Sequence, residues 1–248
     1  MRLHSKVAVI TGAAAGIGRS VSLQLAREGA DVAAFSLEGD HDGLRRDVEA
    51  TGRRFVARFG DVTDAQTVEA FVREVEGDLG RVDILVNNAG IVITEPALKT
   101  TLDHWSRTLA VNLTGPFLFA KAVAPGMIQR RFGRIVNMSS QASVVALDEH
   151  LAYCTSKGGI NSLTQVLALE WGRYGVTTNA IAPTVVNTAL GKLVWGKPAK
   201  GDPMRAQIPV GRFAEPEEVA AAVVYLASDD AAMINGHVLR LDGGYTAH

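Results

Sequence analysis

Seven short apolar runs, KVAVIT, DVAAFS, RRFVARF, VDILVNN, GRIVNMS, VTTNAIA and HVLRLD, alternate with stretches of helical period near residues 17–28, 41–51, 64–77, 101–130, 151–173 and 216–227. Runs this apolar suit strands covered on both faces, and strands separated by helices are joined by crossovers. Right-handed crossovers then predict an α/β fold, a single doubly wound domain over residues 1–248, with a seven-stranded parallel sheet that places ligands at the carboxyl ends of its strands. No internal repeat, low-complexity tract or linker divides the chain. Residues 184–215 are the irregular stretch: within NTALGKLVWGKPAKGDPMRAQIP, three glycines and three prolines interrupt a helical pattern. Their length and position predict a lid over a site.

The first run breaks into GAAAGIG and then into the helical RSVSLQLAREG, which reads as strand, glycine turn, helix. Gly12, Gly16 and Gly18 carry no Cβ, so the backbone can turn tightly and approach a pyrophosphate at a helix N-terminus, where unpaired N–H groups favour an anion. Far along the chain, Tyr153 and Lys157 stand four apart in YCTSK, with Ser139 and Ser140 upstream. On a helix that spacing puts a phenol and an ammonium on one face. A phenol of solution pKa about 10 is a poor acid-base group at neutral pH, and a neighbouring cation favours its ionised form.

Composition narrows the classes of function. A chain of 248 residues, 47% hydrophobic, can bury a large core, and a net charge of −1 leaves no electrostatic footprint for nucleic acid or an anionic membrane. The arginines of QRRFGR read as a solvated turn. No apolar run is long enough for a bilayer, and MRLHSKVAVITG enters a core strand at once, so the expected location is cytoplasmic. Cys154 is the single cysteine and reads as packing beside Tyr153; no Cys/His cluster has metal-ligand spacing, and no metal is expected.

Together these motifs resemble the short-chain dehydrogenase/reductase family along essentially the whole chain, which implies a Rossmann domain and an NAD(P)-dependent oxidoreductase interconverting alcohol and ketone. TGAAAGIG is similar to the family's cofactor loop, NNAG to its strand-four motif, and Asn112 in VNLTG to its helix asparagine. Ser140 lies thirteen residues before Tyr153, the family's spacing for the catalytic serine, which leaves Ser139 the poorer match. The resemblance implies that Tyr153 donates or accepts the proton and Ser140 hydrogen-bonds the same oxygen. It implies that Lys157 lowers the tyrosine pKa and reaches the nicotinamide ribose, and that Asn112 holds a water passing protons to Lys157. For the cofactor it implies contacts from Gly12, Gly16, Ile17 and Gly18, adenine contact at Asp61 and Val62, and ribose contact at Asn88, Ala89 and Gly90. Pro183, Val186 and Thr188 of APTVVNT would flank the carboxamide. Thr184 departs from the pattern, standing where glycine is usual, and this bears on the local backbone path.

Choice of cofactor turns on the end of the second strand, where an acid would bind the adenosine ribose and repel a 2′-phosphate. Ser36 occupies that position, eighteen residues after Gly18. Glu38 nearby disfavours a phosphate, and Arg45 or Arg46 would reach one only if the next helix bent inward, so NAD is favoured over NADP. Candidate substrate residues are Gln141, His150 and Trp195, with Val92 and Glu149 beside them. Their polar groups suit a hydroxylated ligand, and the segment around NTALGKLVWGKP resembles bacterial sugar-alcohol dehydrogenases of the family, which implies a polyol or small sugar. Two alternatives stand beside this: a 3-oxoacyl thioester delivered by an acidic carrier protein to Arg130, Arg131 and Arg173, and a dinucleotide-binding regulator without turnover. The expected partner is a small-molecule substrate, with neither nucleic acid nor membrane, and the long helices near 101–130 and 151–173 with the C-terminal segment match the family's dimer surfaces, implying a homotetramer.

Overall fold

Each apolar run becomes a strand in the computed structural model, which describes residues 1–247. The strands are β1 (Val7–Thr11), β2 (Asp31–Ser36), β3 (Phe55–Phe59), β4 (Ile84–Asn87), β5 (Gly133–Met138), β6 (Val176–Pro183) and β7 (Val238–Leu241), all parallel, in the order β3-β2-β1-β4-β5-β6-β7. The chain winds outward from β1 to β3, then returns to the other side of β1 with β4. That reversal opens a crevice at the carboxyl ends of β1 and β4.

Side chains alternate between two cores, as the period of two along a strand requires. Ala8 and Ile10 of β1 join Val21 and Leu25 of α1 (Gly16–Arg27) and Val219 and Val223 of α9 (Pro216–Ala227) on one face. Val7 and Val9 face the other way, toward Phe71 and Val75 of α3 (Ala65–Leu79), Phe119 and Met127 of α5 (Gly115–Arg130), and Leu167 of α6 (Leu151–Trp171). The short α2 (His41–Glu49) adds Leu44 and Val48 to the first core.

The stretch near 101–130, expected as one helix, is α4 (Leu102–Leu109) running into α5 through a wider π turn at Ala110–Thr114, where the Gly115 N–H reaches back to the Ala110 carbonyl. Pro116 explains the widening: it has no N–H for the Asn112 carbonyl four residues earlier, and its ring would collide with that oxygen in a regular helix. Within 184–215 some of the glycines and prolines mark helix boundaries, while Gly191, Gly201 and Pro203 are accommodated inside short helices. Gly196 follows α7 (Ala189–Trp195), and Pro198 opens α8 (Pro198–Ala206), where a missing N–H costs nothing. Met204, Ile208 and Phe213 give the segment a small core of its own, with Trp195 and Tyr245 packed against it.

Candidate active site

A cavity of about 660 Å³ runs along the carboxyl edge from Ser36 and Leu37 to His150 and Trp195. At its first end the glycines are obligatory. Gly12 has φ +64°, and a Cβ there would lie 2.9 Å from Asn88 Nδ2; a Cβ on Gly18 would lie 2.1 Å from the Gly12 carbonyl oxygen. Gly18 therefore holds the loop tight and does not border the cavity, whereas Gly12, Gly16 and Ile17 do. Thr11 Oγ1 accepts the backbone N–H groups of Asn88 and Ala89, each at 3.0 Å, and Asn88 Nδ2 donates to the Thr11 and Gly12 carbonyls at 3.0 and 3.2 Å. Sequence reasoning passed over Thr11, although its place directly before the first glycine was the available signal. Ser36 Oγ accepts the Ala14 N–H at 3.1 Å, tying the loop to β2 while keeping its own hydroxyl proton to donate. The N-cap of α1, Ala15, offers no side-chain cap, so its first N–H groups are left for an anionic ligand.

Asp61, Val62, Ala89, Gly90, Pro183, Val186 and Thr188 also border the cavity, as expected of a cofactor wall. An extended crevice with a Cβ-free cradle and free helix N–H groups fits a dinucleotide.

At the other end, α6 presents Tyr153 and Lys157 one turn apart, with Lys157 Nζ 5.7 Å from the phenol ring centroid and donating to the Met138 carbonyl at 2.7 Å. Ser140 caps a short turn and shares the cavity wall with Tyr153. Ser139 borders the cavity too, but its hydroxyl donates to Asn161 Oδ1 at 2.7 Å. Asn112 is fully buried and does not border the cavity: its amide clasps both the N–H and the carbonyl of Ile91 at 2.8 and 2.9 Å and donates to Ser156 at 3.1 Å. It thereby fixes the loop after β4, and Gly90 lets it and Lys157 approach, since a Cβ there would lie 3.3 Å from Asn112 Oδ1 and 3.7 Å from Lys157 Nζ.

Burial governs the titration of this pair. It pushes the Tyr153 phenol above its ordinary value, against the pull of a hydrogen bond with Ser140, and it lowers the Lys157 ammonium to about 8. In the protein alone the phenol is held high by its burial, and the Ser140 hydrogen bond is what pulls it down.

The sequence of the chain matches, over residues 12–246, the family model described as enoyl-(acyl carrier protein) reductase. It is 49% identical to D-threitol dehydrogenase of Mycolicibacterium smegmatis over 99% of this chain and 94% of that protein. It is 44% identical to NAD-dependent glycerol dehydrogenase of Listeria innocua over 98% and 95% respectively. The crystal structure of NAD⁺-bound xylitol dehydrogenase superposes with a TM-score of 0.92 at 31% identity, covering 98% of this chain and 100% of that one. This chain belongs to the short-chain dehydrogenase/reductase family. It is an NAD(P)-dependent oxidoreductase that interconverts alcohol and ketone.

For this dehydrogenase/reductase, Thr184 proves compatible with the family backbone. Its φ is not positive, and its N–H continues the ladder to the Leu241 carbonyl at 3.0 Å. Gln141, His150, Trp195 and Val92 border the cavity. Glu149 does not: its carboxylate turns outward to Lys200 Nζ at 2.8 Å on α8, a partner fifty-one residues away that no local pattern reveals. At the cofactor end Glu38 borders the cavity, while Arg45 is committed to the Phe55 carbonyl and ring and Arg46 is exposed; neither reaches the wall. Leu37 and Arg107 border it without having been foreseen. Among the described residues, no helix is long and apolar enough to cross a membrane, and no group of three or more His, Cys, Asp or Glu side chains could hold a metal ion.

Proposed function

We propose that this protein interconverts a polyol or small sugar with the corresponding ketone and prefers NAD. One observation carries the reading: Gln141, beside Ser140 in the cavity wall, is 2% exposed, and neither Oε1 nor Nε2 has a hydrogen-bond partner among the described residues. A buried amide left unpaired costs about 1–3 kcal/mol per group, so a shift of the wall that bares it to a ligand with adjacent hydroxyls, which supply both a donor and an acceptor, is repaid. His150, buried 6.1 Å from the Tyr153 ring, and Trp195 complete a polar and aromatic wall suited to such a ligand. The relatives that act on threitol and glycerol agree with it.

When bound, the dinucleotide supplies or accepts the hydride. Tyr153 would take the hydroxyl proton as the carbinol is oxidised and return it on reduction, with Ser140 holding the same oxygen. Lys157 would orient the ribose and stabilise the ionised phenol, and Asn112 would act by holding the Ile91 loop and the route by which protons reach Lys157. Glu38 at the adenosine end, with neither Arg45 nor Arg46 reaching the wall there, supports NAD over NADP. The carrier-protein alternative is disfavoured because Arg130, Arg131 and Arg173 lie at or just past the C-termini of α5 and α6, at the opposite edge of the sheet from the cavity. Exposed Phe117, Val166 and Leu169 on α5 and α6 support a homotetramer. A panel of polyols, sugars, secondary alcohols and oxoacyl thioesters assayed with each cofactor tests the function. A better thioester than polyol would overturn it, and light scattering of the purified protein tests the assembly.

A further inference from the structure

Beside the substrate end of the main cavity lies a second cleft of about 220 Å³, open to solvent, and Leu147 and Trp195 border both. It is far larger than the ~10–15 Å³ that one water needs. Trp195 and Leu147 stand between the two spaces. The Trp195 indole stacks on the His150 imidazole at 5.8 Å and 14°, and His150 in turn meets the Tyr153 ring edge-on at 6.1 Å, so three rings run in series from the proton-transfer group to this boundary. The backbone around the indole is closely held, since a Cβ on Gly201 would lie 2.2 Å from the Trp195 carbonyl oxygen. Removing the indole would widen the passage between the two spaces and leave Leu147 as the remaining wall.

The cleft's chemistry indicates what would enter. Tyr245 donates its phenol proton to Gln207 Oε1 at 3.2 Å, and Lys200 is neutralised by Glu149 at 2.8 Å, with Asp148 nearby at the wall. Hydroxyl and amide groups with no surplus positive charge suit the uncharged end of a polyol and disfavour a phosphate ester.

We propose that Trp195 sets the chain length of the substrate: the far end of a short polyol abuts the indole, and the cleft beside it is a distal subsite that longer polyols reach only when the indole is removed. This rests on the polyol reading of the main cavity. The test is kcat/KM for glycerol, a tetritol, a pentitol and a hexitol in the parent enzyme and in Trp195→Phe and Trp195→Ala. The ratio of hexitol to glycerol should rise about tenfold or more in Trp195→Ala, the scale of a pocket-size effect, and in the same direction but less in Trp195→Phe. Adding Gln207→Leu to Trp195→Ala should lower the hexitol rate and leave glycerol unchanged. An equal fall for every chain length in both variants overturns the proposal while leaving the polyol reading intact. A parent enzyme that oxidises none of the four overturns both. Trp195→Phe serves as the deciding variant if Trp195→Ala does not fold.

Discussion

The two ends of the cleft treat polar groups in opposite ways. Around the glycine loop, Thr11, Ser36 and Asn88 are paired with backbone groups, and the cradle is rigid because its hydrogen bonds close on themselves. At the reaction end neither the Gln141 side chain nor Thr184 Oγ1 has a hydrogen-bond partner among the described residues, Lys157 is an ammonium in a dry place and Glu149 holds φ +61°. Binding a constant cofactor calls for a finished surface. Changing a substrate calls for groups whose best partners arrive with it, so the cost is stored where the chemistry happens.

The largest effect should follow removal of the proton carrier. Tyr153→Phe is expected to lower kcat by about 10²–10⁴ with cofactor affinity nearly unchanged, as measured by turnover and by fluorescence titration with reduced cofactor. A rate above about a tenth of the parent would end that assignment. Because burial raises the phenol's pKa, its protonated form persists into the alkaline range, so alcohol oxidation, which needs the ionised form, should accelerate as pH rises. Ketone reduction, which needs the protonated form, should hold steady through neutrality. Oxidation already independent of pH at neutrality would mean that in the working complex the lysine charge outweighs burial.

Lys157 shows the stored cost in stability. Its pKa is lowered from 10.5 to about 8, so the folded protein binds fewer protons than the unfolded chain between those values, and stability rises with pH across that window. Below it the full penalty applies, about 3 kcal/mol. Lys157→Met should lose most activity and cofactor affinity yet gain about 2 kcal/mol near neutral pH after forfeiting the bond to Met138, or about 4–8 °C in Tm. A melting temperature that falls would show that the ammonium is better solvated than its burial implies.

A matched pair of substitutions probes the contrast more directly. Thr11→Val strips the acceptor from two backbone N–H groups and should cost about 2 kcal/mol or more, seen as a lower urea midpoint and weaker cofactor binding. Gln141→Leu deletes a polar group that has no partner, so stability should hold or rise by up to about 1 kcal/mol while kcat/KM for the best polyol falls about 10–100-fold. Equal destabilisation by both changes would erase the distinction between the two ends.

That distinction was only half visible in the sequence. The central strands are buried and largely apolar, the edge strands β3 and β7 carry Arg58 and Arg240, and all seven were legible from their alternation with helical stretches, while the order of glycine loop, NNAG, Ser140 and YCTSK placed the candidate site on their carboxyl ends. Periodicity could not show the π turn at Asn112, because its cause is a single proline four residues on. It also could not separate helix boundaries from interruptions in 184–215, where Gly196 and Pro198 are ordinary punctuation. Pairing is the deeper limit. Whether Gln141 is orphaned, or Glu149 drawn outward by Lys200, depends on groups that only the folded chain brings near.

The smallest expected effect lies at the finished end, where Ser36 already serves the loop. Ser36→Asp can keep accepting the Ala14 N–H with one carboxylate oxygen and offer the other to the ribose hydroxyls, so the loop should survive the change. The added negative charge, beside Glu38, opposes a 2′-phosphate, and neither Arg45 nor Arg46 reaches the wall to offset it. The ratio of kcat/KM for NAD over NADP should rise about tenfold, the scale of one modest charge interaction near the surface. An unchanged ratio would mean that the ribose lies beyond reach of residue 36 and that Glu38 alone governs the choice. A lower melting temperature with the ratio unchanged would show instead that the Ser36 bond to the loop cannot be replaced, making even this edge of the cradle a closed structural unit.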